Sequence, residues 1–337
     1  MNRILLTGGT GFIGSHTAVC LIEAGLDVVI FDNLSNSKLE VLNRVESITG
    51  KRPTFVQGDV RCQLEIESAF SCYPCDAVIH FAGLKSVSDS IVNPLGYYSN
   101  NVAGTINLIQ AMRNQGVKNL IFSSSATVYS SPQYLPVDEV HPLGANQPYG
   151  QSKLMVENML RDLSGSDDAW RIGILRYFNP VGAHESGLIG EDPLDVPHNL
   201  MPYVAQVAVG RLPFLHVWGA DYSTFDGTGV RDYIHVVDLA RGHLKALLRL
   251  SQSGFFTVNL GTGRGYSVLE IVKAFEAASQ KSIPYKIFDR RTGDLAEVFA
   301  CTELAEKQLA WKAEKNIDDM CADHWRWQSL NPLGYSS

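Results

Sequence analysis

Three side chains in the middle of the chain have the types and the spacing needed to move a proton to or from a bound hydroxyl group. Tyr149 and Lys153 form a Tyr-x-x-x-Lys pattern at the start of a predicted helix, where residues four apart lie on one face. A free tyrosine has a pKa of about 10, and a neighbouring positive charge lowers that pKa by favouring phenolate. Ser125 ends a predicted strand and can bond the same hydroxyl. The pattern predicts a catalytic group with Tyr149 as the base.

A glycine-rich turn near the N-terminus gives that pattern its context. Gly8, Gly11 and Gly14 lie between the first predicted strand and the first predicted helix. This spacing lets the backbone approach a pyrophosphate at the positive end of a helix. Asp32 ends the next strand, where a carboxylate bonds ribose hydroxyls and repels a 2′-phosphate, so NAD is favoured over NADP. Asp59 follows the third strand and is a candidate for the adenine edge, with an ordinary strand-end turn as the alternative.

Short β-branched and aliphatic runs alternate with longer amphipathic stretches over the first 180 residues. The runs predict strands at 4–7, 28–31, 54–57, 77–81, 119–123 and 172–177. The amphipathic stretches predict helices at 12–24, 94–114 and 149–163, among others. Nearly continuous apolar strands that alternate with helices are typical of a parallel sheet covered on both faces. We therefore expect an α/β fold with a Rossmann-type, doubly wound parallel sheet.

The regular alternation stops after Asn179-Pro180, where a loop-rich stretch begins. Beyond it the patterns predict a helix near 201–209 and a strand–helix unit at 233–250. Ser267-Val-Leu-Glu270 predicts a capping box at the start of another helix. We expect residues 1–180 to form the NAD-binding domain and residues 181–337 to form a smaller α/β lobe that binds the substrate.

Composition and charge exclude several classes of partner. The chain has 337 residues and a formal net charge of −7, and no Lys or Arg cluster stands out. Nucleic acids and anionic membranes are poor partners for such a chain because both require a clustered positive surface. No leader or apolar window long enough to span a membrane is evident, and the six scattered cysteines lack a metal-ligand pattern. A cytoplasmic protein without a metal site is expected.

Several longer segments resemble those of the extended short-chain dehydrogenase/reductases and, within that family, of its UDP-hexose 4-epimerases. They are TGGTGFIGSH at 7–16, FDNLSNSK at 31–38, HFAGLKSV at 80–87, NNVAGT at 100–105, FSSSATVY at 122–129, PYGQSKLMVE at 148–157, LRYFNPVGAH at 175–184, DGTGVRDYIHV at 226–236 and WQSLNPLGY at 327–335. The resemblance extends over essentially the whole chain. It implies interconversion of UDP-glucose and UDP-galactose through a 4-keto intermediate, with NAD bound throughout.

The resemblance also implies roles for particular positions. Tyr149 would take the 4-hydroxyl proton, Lys153 would bind the nicotinamide ribose, and Ser125 would share the proton relay. The implied cofactor contacts are Gly8, Gly11, Phe12, Ile13, Gly14, Asp32, Asn33, Asn36, Ser37, Asp59, Val60, Phe81, Ala82, Lys85, Asn100 and Tyr177. The implied contacts to the UDP-sugar are Asn179, Asn199, Leu200, Arg231, Arg291 and Asp294.

Two related functions remain as alternatives on the same fold. Nucleotide-sugar dehydratases and decarboxylases resemble one another in carrying an acid just after the strand-5 Ser or Thr. Ala126 and Thr127 occupy those places here, so dehydration would lack its general acid. A non-catalytic, NAD-sensing protein is the remote alternative; such proteins typically lose the tyrosine or the lysine, and this chain retains both.

The sequence departs from the UDP-hexose epimerases at one position that affects specificity. In the enzymes restricted to glucose and galactose, the segment after Gly-Asp-Leu carries a tyrosine that crowds the C2 side of the sugar. Val298 stands at that place here, and valine is much smaller. We therefore expect UDP-N-acetylglucosamine and UDP-N-acetylgalactosamine to be substrates too. The alternative is that epimerisation of this N-acetylated pair is the main activity. A Phe299 ring that filled the space would restore the restriction.

The helices predicted at 94–114 and 149–163 have apolar residues beyond one face, among them Ile106, Ile109, Leu154 and Met155. The family resemblance implies that such helices form a four-helix bundle in a homodimer. The sequence permits this assembly and does not require it.

Overall fold

In the computed structural model, which describes residues 1–129, 131–192, 197, 199–252, 254–291 and 293–335, seven parallel strands form the central sheet. They are β1 (Arg3–Thr7), β2 (Asp27–Asp32), β3 (Thr54–Gln57), β4 (Ala77–His80), β5 (Asn119–Ser125), β6 (Arg171–Tyr177) and β10 (Phe255–Leu260). Their spatial order is β10-β6-β5-β4-β1-β2-β3, which is a doubly wound arrangement. The predicted Rossmann-type α/β fold is confirmed.

Helices cover both faces of this sheet. One face carries α1 (Phe12–Glu23), α2 (Glu40–Thr49), α9 (Val236–Arg249) and α11 (Glu303–Leu309). The other carries α3 (Gln63–Cys72), α6 (Gly104–Asn114) and α7 (Pro148–Ser166). Within β1, Leu6 packs into the first layer and Leu5 into the second, because successive strand residues point to opposite faces. Burial on both faces explains why the strands are apolar at nearly every position.

The predicted helix at 94–114 is interrupted. The chain forms α4 (Val87–Val92) and α5 (Pro94–Tyr97), then a π-helical stretch (Tyr98–Ala103), and only then enters α6. Such π-helical insertions occur frequently at functional sites. A short 3₁₀ turn (Ala126–Tyr129) follows β5.

The later part of the chain builds two small sheets above the carboxyl ends of the central strands. β7 (Asn179–Val181), β9 (Val230–His235), β11 (Gly265–Ser267) and β13 (Glu297–Val298) form a mixed sheet, and β8 (Leu215–Trp218) pairs with β12 (Tyr285–Phe288). A separate apolar core packs α8 (Leu200–Ala208), α10 (Val268–Ser279) and α12 (Ile317–Leu330) together. The predicted capping box is confirmed: Ser267 caps α10, and the Glu270 side chain accepts from the Ser267 amide.

The central sheet also takes one strand from beyond residue 180. β10 pairs with β6, and α9 packs against α1. The sequence pattern missed this strand because it follows a long irregular stretch. The assignment of NAD binding to residues 1–180 and of substrate binding to residues 181–337 remains a prediction. No helix among the described residues is both long enough and apolar enough to cross a bilayer.

Candidate active site

The glycine-rich turn is shaped by close backbone contacts. Gly8 has a φ of +69° and donates its amide to Phe31 O at 2.8 Å. A Cβ at Gly14 would lie 2.4 Å from Gly8 O and 2.7 Å from Gly9 Cα, so only glycine lets α1 begin this close to the turn. Gly11 is the N-cap residue of α1 and supplies no side-chain cap.

That helix start fits the pyrophosphate of NAD. The first turn of α1, which contains Phe12 and Ile13, holds no acidic residue, and no side chain caps it among the described residues. Amides at a helix N-terminus then remain available to an anion, which the helix dipole also favours. NAD supplies hydride transfer when it is bound there.

Asp32 lies beside this turn at the end of β2. It accepts hydrogen bonds from Thr10 N at 3.1 Å, from Leu34 N at 2.9 Å and from Ser37 Oγ at 3.4 Å. Ser37 also bonds Thr10 Oγ1 at 2.6 Å. Carboxylate oxygens have further lone pairs, so Asp32 is placed to accept from ribose hydroxyls as well. The structure thus brings the predicted NAD-selecting carboxylate next to the phosphate turn.

The next loops place a second set of predicted cofactor residues. Asn33 Nδ2 donates to Asp59 Oδ2 at 2.9 Å, and hydrogen bonds from Arg61 hold the pKa of Asp59 well below its usual range. Val60 is buried against Gly104 at the start of α6. Asn36 is exposed in the turn after β2.

The loop after β4 contacts the end of β1 and is linked to α7. It contains three predicted cofactor residues, Phe81, Ala82 and Lys85, and the Ala82 amide donates to Thr7 O at 3.0 Å. Asn101 in the π-helical stretch donates to Leu84 O and to Ser152 Oγ, both at 3.0 Å, and its neighbour Asn100 donates to Asn101 Oδ1. Asn101 therefore fixes this loop to α7. Asn101 was not among the residues predicted from the sequence, although its place in NNVAGT was a usable signal.

Tyr149, Lys153 and Ser125 meet at the carboxyl end of β5. Tyr149 and Lys153 lie one turn apart in α7, and Lys153 Nζ donates to Ser123 O at 2.8 Å. The Ser125 hydroxyl accepts from Thr127 N at 3.2 Å. Burial is the larger influence on the Tyr149 pKa and raises it, whereas the neighbouring Ser125 hydroxyl lowers it. Burial lowers the pKa of Lys153 to about 8.

The expected depression of the Tyr149 pKa is thus only partly supplied by this chain. Ser125 acts in the expected direction, but removing the phenol from water disfavours phenolate more strongly. A positive charge close to the phenol is needed to reverse that balance. Lys153 still carries its charge at neutral pH, because its lowered pKa of about 8 lies above neutrality.

Tyr177 lies on β6 in register with Ser125. Its hydroxyl bonds His243 Nε2, while His243 Nδ1 donates to Leu239 O at 2.8 Å, so Nε2 is the accepting nitrogen. The Phe81 ring also lies against His243, with 4.8 Å between the centroids and the two planes tilted by 50°. Tyr177 is thereby held rigidly at the sheet edge.

Three of the predicted substrate residues, Arg231, Arg291 and Asp294, lie together on or beside the small mixed sheet. Arg291 Nε donates to Asp294 Oδ2 at 2.8 Å, and Arg231 Nη2 lies 4.0 Å from Asp294 Oδ1. Val298 pairs in register with Arg231. Its side chain packs against the apolar cluster of Val128, Tyr129, Val137, Phe178 and Ala300. Arginine side chains so placed can bind a diphosphate in a bidentate manner.

Asn199 and Leu200 lie at the start of α8, near a buried acid that the sequence analysis missed. Glu191 Oε1 accepts from Lys85 Nζ at 2.8 Å and from Asn199 Nδ2 at 3.3 Å. Asn179 begins β7 and is exposed. Trp218 was missed as well: it is half-exposed, and the Arg291 guanidinium lies 6.0 Å from its ring centroid. Such a ring is a suitable platform for a flat base.

Within the described ranges, no group of three His, Cys, Asp or Glu side chains is arranged to hold a metal ion.

Replacing Gly14 with alanine should weaken both folding and NAD retention. The new Cβ would meet backbone atoms at 2.4 Å and 2.7 Å, so α1 must shift, at a cost of about 1–3 kcal/mol. Urea unfolding and the molar ratio of NAD released on denaturation would measure the two effects. Gly165→Ala is the matched control, because nothing lies within 4 Å of its Cβ and it sits in a helix. Unchanged NAD content in Gly14→Ala would contradict the assignment.

Comparison with known proteins gives the family. The NAD dependent epimerase/dehydratase family model matches residues 4–261. A UDP-glucose 4-epimerase from Bacillus subtilis (strain 168) is 57% identical over 335 residues, or 99% of each chain. One from Dictyostelium discoideum is 57% identical over 337 residues, or 99% of this chain and 98% of the relative.

A solved structure agrees with these relatives. The UDP-glucose 4-epimerase from Bifidobacterium longum, in complex with NAD+ and UDP, is 53% identical and superposes with a TM-score of 0.97. The match covers 99% of this chain and 100% of that chain. The family and the NAD cofactor predicted from the sequence are confirmed. The chain belongs to the NAD dependent epimerase/dehydratase family.

Proposed function

We propose that the protein is a UDP-hexose 4-epimerase that interconverts UDP-glucose and UDP-galactose through a 4-keto sugar, with NAD kept bound. The observation that carries this proposal is that Tyr149, Ser125 and Lys153 meet at the sheet edge that also carries the phosphate turn. Val298, the strand partner of Arg231, packs against a cluster that includes the turn after Ser125. A UDP-hexose bound between Tyr149 and Arg231 would have its ring beside the phenol and its diphosphate beside the arginines. The close relatives named UDP-glucose 4-epimerase support the same substrate class.

The chain's own residues then move one proton and hold the sugar. Tyr149 takes the proton from the 4-hydroxyl when C4 is oxidised to the ketone, for which bound NAD+ would be the hydride acceptor. It returns a proton when C4 is reduced on the opposite face. Ser125 bonds the same hydroxyl and relays the proton. Lys153 stays an ammonium at neutral pH, since its pKa is about 8, and it favours the phenolate electrostatically.

Dehydration and simple sensing are less well supported. Ala126 and Thr127 form the 3₁₀ turn after Ser125, and neither can act as a carboxylic acid there. An NAD sensor has no need for a base and an ammonium buried together at the sheet edge. The retained Tyr149–Lys153 pair therefore favours a catalyst over a sensor.

Tyr149→Phe should lower the conversion of UDP-galactose by about 10²- to 10⁴-fold, because it removes the base and little volume. Bound NAD should stay at the wild-type level. The assay incubates the purified protein with UDP-galactose, without added NAD, and separates the products by chromatography. Tyr134→Phe, an exposed tyrosine, is the control. A wild-type protein that retains NAD but converts no nucleotide sugar would support the sensor instead.

A second candidate activity is epimerisation of the N-acetylated sugars, and the placement of Val298 favours it. Val298 is only partly buried and packs against the apolar cluster that contains Val128, Phe178 and Ala300. Phe299 points the other way, with its Cδ1 near Gly265. Since adjacent strand residues face opposite sides, the Phe299 ring is poorly placed to fill the space that a larger residue 298 would occupy.

Val298→Tyr should lower the conversion of UDP-N-acetylgalactosamine by at least about tenfold and leave UDP-galactose conversion within about threefold. The added ring would occupy the room available to a 2-acetamido group. Both substrates are assayed with the same preparation. Phe299→Leu is the matched control and should change neither rate. If Val298→Tyr converts each substrate at the wild-type rate, residue 298 does not control access to the site.

We also propose a homodimer built on α4, α5, α6 and α7. Val92 and Leu95 are 86% and 80% exposed, and Ile106 and Met155 are exposed on the neighbouring helices. α4 and α5 pack against α7, so these apolar side chains lie on adjoining elements. A second copy of the same surface is the occupant that the family resemblance implies.

Leu95→Glu should convert a dimer into a monomer, since it places a charge in the proposed apolar interface. Light scattering coupled to gel filtration measures the mass. Leu248→Glu on α9 is the control, because it is exposed on the opposite side of the sheet. A monomeric wild type, or a dimeric Leu95→Glu, would contradict this assembly.

We propose that the protein is cytoplasmic, and we expect no nucleic-acid or membrane partner. All six cysteines lie in the described part of the chain and are free. Free thiols are typical of a reducing compartment, which supports the location.

A further inference from the structure

A fully buried carboxylate joins the three elements that carry Tyr149, Ser125 and the predicted cofactor contact Tyr177. Glu157 on α7 is 0% exposed and accepts from Ser124 Oγ at 2.5 Å. Arg176 on β6 binds both of its oxygens, with Nε at 3.0 Å and Nη2 at 2.6 Å. Arg176 Nη1 continues to the Tyr129 hydroxyl at 2.9 Å, which donates to Asn259 on β10. One side chain thus bridges α7, β5 and β6.

Each partner adjoins a residue of the proposed site. Ser124 precedes Ser125, and Arg176 precedes Tyr177. Glu157 follows Lys153 by one helical turn on the same face. Because successive strand residues point to opposite faces, the network lies behind the site while its neighbours face it.

Stability alone does not account for such a pair. Two charges removed from water lose hydration that their attraction only partly replaces, and well-packed apolar residues are often at least as stabilising. A bidentate pair with further hydrogen bonds does, however, fix three elements in one geometry. Residues that orient catalytic groups from behind have this arrangement.

We propose that Glu157 is a positioning residue that fixes Ser125, Tyr177 and the Lys153 ammonium relative to Tyr149. The inference rests on the proposed function, since it assigns Glu157 a task in the same site. Glu157 is also the negative charge that favours the ammonium form of Lys153.

The other groups near Lys153 and Glu157 define the charge balance. Lys153 faces His80 on β4, whose pKa burial lowers to about 3, so that ring is neutral across the working range. Lys153 also shares its helix face with Tyr149. Glu157 faces Arg176, and Tyr129 lies beyond that pair; burial raises the pKa of Tyr129, so its phenol stays neutral. Removing the Glu157 charge therefore takes away the negative neighbour of Lys153, whereas Arg176 keeps the nearby Glu139 carboxylate.

Glu157→Gln in the NAD-loaded protein is the decisive variant. We expect kcat for UDP-galactose to fall by about 10- to 100-fold with KM within about twofold, since the groups are misplaced and not removed. The fall in wild-type activity at high pH should lie near the Lys153 pKa of about 8. In Glu157→Gln that fall should move to lower pH, because the ammonium has lost its negative neighbour.

Asp238→Asn is the matched control. Asp238 is a second buried carboxylate, and it accepts from Glu314 N at 2.9 Å and from Lys315 N at 2.8 Å. It should lose thermal stability and keep the wild-type kcat and pH profile. The same pattern in Glu157→Gln would mean a purely structural role and would overturn the proposal.

Ser124→Ala covers the case in which Glu157→Gln does not fold. It removes one hydrogen bond and keeps both charges, so kcat should fall severalfold with the pH profile unchanged. A wild-type kcat in Ser124→Ala would then overturn the proposal. If the wild type converts no UDP-hexose, the proposed function fails. The role of Glu157 is then tested by NAD retention after gel filtration. Loss of NAD in Glu157→Gln but not in Asp238→Asn supports positioning, and equal retention refutes it.

Discussion

All seven strands of the central sheet run parallel, and this constraint brings the candidate site together. Parallel strands place every carboxyl end at the same edge, so the residues that follow them become neighbours whatever their separation in sequence. Asp32, Asp59, Ser125 and Tyr177 each lie at or just after such an end. Because the connecting helices start at the same edge, the dipole of α1 also points at it. The residues predicted for phosphate binding and those predicted for proton transfer therefore lie at one edge of the sheet.

Burial gives this edge its electrostatic character. Tyr149 and Lys153 are both removed from water, which raises the pKa of the phenol and lowers that of the amine to about 8. Burial disfavours phenolate, while Lys153 still keeps its charge at neutral pH. Additional positive charge beside the phenol would shift the balance toward phenolate, and oxidised nicotinamide carries such a charge. Without that charge, burial keeps the Tyr149 phenol protonated.

Local patterns made part of this architecture predictable. The Gly8–Gly14 spacing, the Tyr149–Lys153 pair and the Ser267 cap each depend on residues within one turn or one strand, and the structure contains all three elements. Contacts between residues that are far apart in the chain produce no such local sequence pattern. β10 joins the sheet after a long irregular stretch, Lys85 pairs with Glu191 across 106 residues, and Arg176 meets Glu157 across 19. Periodicity reports which face of an element is apolar, not which distant side chain it will meet.

The buried polar residues therefore carry information that the motifs do not. Asn101 ties the loop after β4 to α7, and Glu157 ties α7 to β5 and β6. Each costs hydration, and each is compensated only when every partner is present. A structure held by such bonds has one low-energy arrangement at the sheet edge, whereas an apolar core of equal volume would tolerate small shifts. Hydride transfer depends steeply on the placement of the sugar, so rigidity from these bonds serves the proposed reaction more directly than added stability would.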